Sequence, residues 1–400
     1  MPMPSHRGWI MPESPIRKLV PLARQAEAKG RKIYHLNIGQ PDIKTPQLGL
    51  DALKNIDRKI LEYTPSEGLL SLRTKLAEYY SRFNIDLDPS EIIITTGGSE
   101  AVLFAFMACL DQGDEIIVPE PAYANYTAFA IAGGAIIRPL LCSIDNDFAL
   151  PSFEEFEKMI TKRTRAILLC NPNNPTGHIY TAEEMEHIRQ LVKKYDLYLF
   201  SDEVYREFCY TDQPHISALQ LKGIEDNVIL IDSVSKRYSE CGIRIGALIT
   251  KNKQVRKDVM KFCQARLCPP LIGQLVAEAS MDASPEYMQA VYNEYLERRN
   301  YMIKAINEIP GCYSPMPMGA FYTVARLPID DADKFCAWLL ESFEYEGKTL
   351  MIAPASGFYS ANSMGRNEVR MAYVMNIEDL SVAMDLLRRA LAVYPGRTIA

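Results

Sequence analysis

Several hydroxyls, a lysine and two arginines fall within Ser233-Val-Ser235-Lys236-Arg237-Tyr-Ser-Glu-Cys-Gly-Ile-Arg244-Ile-Gly246, just after the apolar run 228–231. A lysine amine is ordinarily protonated at neutral pH, but desolvation or a neighbouring cation lowers its pKa enough for it to attack a carbonyl. Lys236 stands beside Arg237 and eight residues before Arg244, so the stretch has the parts to hold a phosphorylated aldehyde as an imine. The same residue types also make an ordinary polar turn at a strand end.

Three other apolar runs end in unusual chemistry. After run 92–96 comes Gly97-Gly98-Ser99-Glu100-Ala101. Its glycines admit close backbone approach, Ser99 is placed to cap the following helix, and free amides at a helix start suit a phosphate. Many helices begin this way, and the segment matches neither the Walker A nor the dinucleotide pattern. After run 166–170 comes Asn171-Pro-Asn-Asn174-Pro-Thr-Gly177, whose two X-Pro bonds impose a rigid loop presenting side-chain amides. After run 197–200 comes Ser201-Asp202-Glu-Val-Tyr205. An acid there either caps the next helix or stays ionised against a cation such as a protonated ring nitrogen.

These groups need a scaffold. Short β-branched runs at 92–96, 115–118, 166–169, 197–200, 228–231 and 246–249 alternate with helical patterns, which predicts an α/β domain with a mostly parallel sheet. Thr181 and Glu184 form a capping-box pattern, and Met185, Ile188, Leu191, Val192 and Tyr195 mark one helical face. Ligands of open α/β sheets gather beyond the carboxyl ends of strands, where the unusual segments lie. We divide the chain into an N-terminal arm with part of a small domain (1–45), a large domain (46–280) and a small α+β domain (281–400) completed by both chain ends. No internal repeat or low-complexity linker interrupts them.

With 48% hydrophobic and 24% charged residues over 400 positions, the composition is that of a soluble globular protein. Its 50 acidic and 44 basic residues give a formal charge of -6, which opposes nonspecific attraction to nucleic acid or an acidic membrane. No apolar run approaches a membrane span and the opening lacks a secretory pattern, so a cytoplasmic location is expected. Nine cysteines without a Cys-x-x-Cys pair indicate neither a disulfide framework nor a metal site, and most are expected to be reduced core residues.

Taken together and in this order, the four segments resemble the class I/II aminotransferases of pyridoxal-phosphate fold type I. The likeness runs over nearly the whole chain, from Leu36-Asn-Ile-Gly39-Gln-Pro-Asp42 to Arg370, and is nearest to the bacterial and archaeal aspartate aminotransferase-like enzymes. It implies a mixed, mostly parallel sheet and pyridoxal 5'-phosphate as cofactor. Lys236 would form the imine and then act as base, Asp202 would pair with the pyridinium nitrogen, and Tyr205 and Asn174 would hydrogen-bond the phenolic oxygen. Tyr123, in Pro121-Ala-Tyr-Ala-Asn-Tyr126, would stack on the ring, while Gly98, Ser99, Glu100, Ser233, Ser235 and Arg244 would surround the phosphate. Tyr63 matches a residue that the family sends into the partner subunit's phosphate site, which implies a homodimer with shared active sites. Arg370, with Asn174 and the backbone at Gly39, would clamp the substrate α-carboxylate.

The resemblance also frames the substrates, an amino acid and a 2-oxo acid, with aspartate and 2-oxoglutarate as the expected pair. Some bacterial members meet the distal carboxylate with a lysine in the Gly-Gly-x-x-Ala loop, where this chain has Ser99. Arg266 is the candidate replacement cation, acting within one chain or across the dimer, or else a solvated helix-end residue. Alanine or aromatic transamination and carbon-sulfur β-lysis on the same fold are the alternatives. A transcription regulator built on this fold is not expected, because no basic patch precedes the domain.

Overall fold

The runs read as strands are strands, and with one more they build a seven-stranded sheet. In order across it lie Ile92–Thr95, Gly246–Ile249, Val228–Ser233, Tyr198–Asp202, Thr164–Cys170, Glu115–Glu120 and Ile136–Leu141. From Val228–Ser233 to Ile136–Leu141 every neighbouring pair is parallel, while Gly246–Ile249 is antiparallel to both of its neighbours. The sheet is therefore mixed and mostly parallel, in a computed structural model that describes residues 2–212, 214–361 and 364–399. Strands covered on both faces carry near-continuous Ile, Leu and Val, and Val228–Ser233 is buried throughout. The strand that the sequence did not announce, Ile136–Leu141, lies at the sheet edge, is mostly half-exposed, and contains Arg138 and Pro139. Proline is tolerated there because an edge strand need not donate on its open side.

The one reversed strand changes what reaches the carboxyl-end edge of the parallel strands. Because Gly246–Ile249 runs backwards, its first residue sits opposite Thr95 on one side and Ser233 on the other, where the parallel strands finish. Asp202 faces Cys170 along the same edge. Arg244, which precedes its strand, thus arrives beside groups that follow theirs.

Helix Gly97–Cys109 covers one face and buries Ala101, Val102, Ala105 and Phe106. Helix Ala182–Tyr195 has the expected capping box, with Glu184 N donating to Thr181 Oγ1 at 3.1 Å and Thr181 N to Glu184 Oε2 at 2.7 Å. It buries Met185, Ile188, Leu191 and Val192. Tyr195, expected on that face, instead turns outward and donates to Glu157 Oε1 at 2.9 Å.

Strand Lys32–His35 pairs in parallel with Lys348–Met351, so the two chain ends share a sheet. A second antiparallel sheet contains Ala353–Pro354, Glu368–Ala372 and Tyr322–Arg326, with Arg370 opposite Val324 and Ala353. All nine cysteines are free, but only four are buried and five are half-buried, fewer in the core than composition suggested. No described helix is long and apolar enough to cross a membrane.

Candidate active site

The edge where Thr95, Gly246 and Ser233 meet opens into a cavity of roughly 1000 Å³. Of the residues singled out from sequence, Gly39, Gly98, Ser99, Tyr123, Asn174 and Asp202 line it, as do Tyr205, Ser233, Ser235, Lys236, Arg244 and Arg370. Tyr63, Glu100 and Arg266 are not among its walls.

Lys236 sits on the single helical turn Val234–Arg237, which Ser233 caps by accepting from Ser235 N at 3.2 Å. Its Nζ donates to Gly39 O at 2.8 Å and lies 3.8 Å from Cys241 Sγ. Arg237 is not the neighbouring cation that the sequence suggested. It is only 2% exposed, points away from the cavity, and donates through Nη2 to both oxygens of Asp232 at 3.0 and 2.9 Å. Burial opposes charge on Asp232, but the Arg237 guanidinium holds its carboxyl below the usual carboxylate range. Tyr80 OH completes the set by donating to Asp232 Oδ2 at 3.0 Å. The pair is thus an internal anchor for the turn, its charge already balanced.

Arg244 is the cation that does face the cavity. Its Nη1 donates to Cys241 O at 2.9 Å, and the guanidinium lies over Gly97, where a Cβ would come within 2.2 Å of Nη2. Helix Gly97–Cys109 starts two residues before Ser99, with Thr96 at its cap position, so Ser99 caps nothing. Glu100 reaches back to accept from Thr96 N at 2.8 Å and pairs with Arg266 Nη1 at 3.0 Å. Arg266 also donates to Ser66 O at 3.1 Å. Within this chain Arg266 is neither a wall of the cavity nor a solvated residue, and Glu100 braces the helix start outside the cavity. A carboxylate already held by Arg266 gains nothing by moving towards a phosphate.

Asp202 is the last residue of its strand, and no helix follows for it to cap. It accepts from Tyr126 OH at 2.6 Å and, at 3.4 Å, from Val204 N. Burial raises its pKa to about 6, with the Tyr126 hydrogen bond acting against the rise. No cation pairs with this acid among the described residues, so it suits a buried positive charge supplied by a ligand.

At the other side, Asn174 Nδ2 donates to Tyr205 OH at 3.3 Å, and the Tyr205 and Tyr322 hydroxyls lie 3.1 Å apart. Arg370 is 1% exposed; Nη1 donates to Asn174 Oδ1 at 3.2 Å, Nη2 donates to Asn37 O, and Nε has no partner among the described residues. Its guanidinium lies 4.7 Å from the centre of the Tyr322 ring, and burial disfavours its charge. An anion from a ligand would relieve both the unpaired donor and the desolvated charge.

Sequence reasoning did not assign Tyr126, Tyr322 or Arg17 to the cavity, though all three line it. Tyr126 lies in a segment already quoted for Tyr123, and no local spacing marks the other two. Tyr322 packs against Gly39 so closely that a Cβ there would lie 1.6 Å from its hydroxyl, which explains that glycine.

The donor set is specific in charge. Arg244 with the Ser233 and Ser235 hydroxyls can seat one anion, Arg370 a second, Asp202 a cationic ring nitrogen, and Lys236 a carbonyl carbon. These residues fit a phosphorylated pyridine aldehyde together with an amino acid.

The whole chain is similar to known proteins. Residues 31–385 match the family model of the class I and II aminotransferases. The chain is 32% identical over 379 residues to the aspartate aminotransferase of Thermotoga maritima, covering 93% of this chain and 96% of that one. It is 32% identical over 392 residues to aromatic-amino-acid aminotransferase 2 of Thermococcus litoralis, covering 97% and 98%. Among solved structures, alanine aminotransferase from Pyrococcus furiosus superposes with a TM-score of 0.89 at 32% identity, covering 97% of this chain and 99% of that one.

Proposed function

The chain belongs to the class I and II aminotransferases, and from that premise we propose that it moves the amino group of L-aspartate to 2-oxoglutarate with pyridoxal 5'-phosphate held at Lys236. The observation that carries this reading is the gathering of Lys236, Asp202, Arg244 and Arg370 on one cavity. When bound, the cofactor supplies an electron sink for the bond electrons released at the substrate α-carbon.

The chain's own groups do the rest. Lys236 anchors the aldehyde carbon and, once displaced by the incoming amine, carries the proton from and to the α-carbon. Asp202, ionised against the ring nitrogen, keeps that nitrogen protonated. Tyr205 and Asn174 direct hydrogen-bond donors at the ring oxygen. Arg244, Ser233 and Ser235 take the phosphate, and Arg370 takes the α-carboxylate with its planar fork. Tyr123, on the cavity wall, would stack on the ring, and Tyr63 would serve a second copy of the chain in a homodimer.

Aspartate is favoured by the relatives that carry that name. A second reading, an aromatic donor, has its own support: Ile16, Val20, Ile38 and Phe129 line the same cavity, and one relative is an aromatic-amino-acid aminotransferase. A screen of the common amino acids with 2-oxoglutarate, following glutamate formation, decides between them. Aspartate should give the highest kcat/KM; a tenfold advantage for phenylalanine, tyrosine or alanine would overturn the assignment.

A further inference from the structure

Among the described residues four cations line the cavity, Arg17, Lys236, Arg244 and Arg370, against the single carboxylate of Asp202. Three of the four have work in the proposed reaction, at the phosphate, the aldehyde and the α-carboxylate. Arg17 has none. Its side chain makes no hydrogen bond or ion pair with any described residue.

The segment that carries it is nevertheless held in place. Arg17 N and Lys18 N both donate to Ser14 O, at 3.0 and 2.9 Å, which closes a turn before helix Val20–Ala28. Pro15 packs on Gly357, where a Cβ would lie 2.2 Å from the proline Cβ. Asn37 Nδ2 donates to Ile16 O at 3.5 Å, Lys18 pairs with Asp333, and Leu19 is buried. Each neighbour of Arg17 is thus tied to the body of the protein, and Arg17 is left exposed at the cavity mouth. Beside it lie Ile16, Val20 and Ile38. Such apolar walls lower the local dielectric and strengthen an ion pair made with a ligand.

Resting on the proposed dicarboxylic substrates, we propose that Arg17 binds the carboxylate at the far end of the substrate side chain, the role that the sequence had offered to Arg266. Both the amino donor and the oxo acid acceptor carry such a group, so one guanidinium reads both halves of the reaction. A fork aimed at a carboxylate also separates acidic from apolar side chains, since alanine leaves it unpaired.

The test compares wild type, Arg17→Ala and Arg17→Lys in single-turnover half-reactions with aspartate, glutamate and alanine. Cofactor absorbance is followed as a measure of loading. In Arg17→Ala the ratio of kcat/KM for aspartate to that for alanine should fall roughly ten- to hundredfold, the weight of a charge-assisted hydrogen-bonded pair. Loading should stay at the wild-type level, and Arg17→Lys should recover part of the ratio. A wild type that accepts the acidic donors while Arg17→Ala keeps the wild-type ratio, or loses both donors equally, overturns the role of Arg17 alone. A wild type that rejects aspartate and glutamate overturns the dicarboxylic reading, and this role with it.

Discussion

Asp202 is a carboxylate in surroundings that disfavour its charge, and this can be measured on the residue itself. Its pKa is raised from 3.8 to about 6, mainly by burial. Within that window the folded cofactor-free chain keeps a proton that the unfolded chain has lost. Stability from this group is therefore greatest below the window and falls as pH rises through it, by about 3 kcal/mol if the whole shift is expressed. Asp202→Asn removes the titration. The difference in unfolding free energy between wild type and this variant, both cofactor-free, should change by that order between about pH 4 and about pH 7. A difference that stays flat would mean that the carboxylate is not desolvated. Tyr126, which opposes the rise, was invisible from sequence because its partner lies 76 positions away.

At the scale of elements, the helix start Gly97–Cys109 and the reversed strand Gly246–Ile249 meet at the end of the cavity proposed for the phosphate. Gly97 has a φ of +75°, a conformation that favours glycine, and a Cβ there would collide with the Arg244 guanidinium. Gly98 is different: its Cβ would meet Ile231 at an ordinary 3.4 Å. Gly97→Ala should therefore weaken pyridoxal-phosphate binding to the cofactor-free protein by at least about tenfold, through a displaced charge-assisted contact, while Gly98→Ala should cost less than about threefold. Titration of cofactor absorbance reads both. Equal effects would show that the close approach of Arg244 to Gly97 has no part in binding. The Gly-Gly motif was legible, but which glycine supports the arginine was not. That depends on a strand reversal which brings residue 244 beside residue 97.

For the whole molecule, Tyr63 is 77% exposed and lies outside its own chain's cavity, so its proposed role requires a second copy. Sedimentation should give a mass of twice 45.2 kDa, and Tyr63→Phe should weaken the cofactor by roughly three- to tenfold, the worth of one hydrogen bond. A monomer with unchanged cofactor affinity in the variant would remove that role. Sequence by itself determined the fold class, because buried parallel strands require short, near-continuous apolar runs and helices require their own period. It also determined which reactive side chains follow those runs. What it could not decide was which cations were free. Arg237 and Arg266 looked as available as any, yet Asp232 and Glu100 claim them, the latter across 166 positions. Arg17 looked like part of an unremarkable arm. Charge pairing depends on distance in space, and no local period or spacing records which distant carboxylate a guanidinium will meet. Only the folded chain decided that Arg17, rather than Arg266, reaches the cavity with no partner among the described residues.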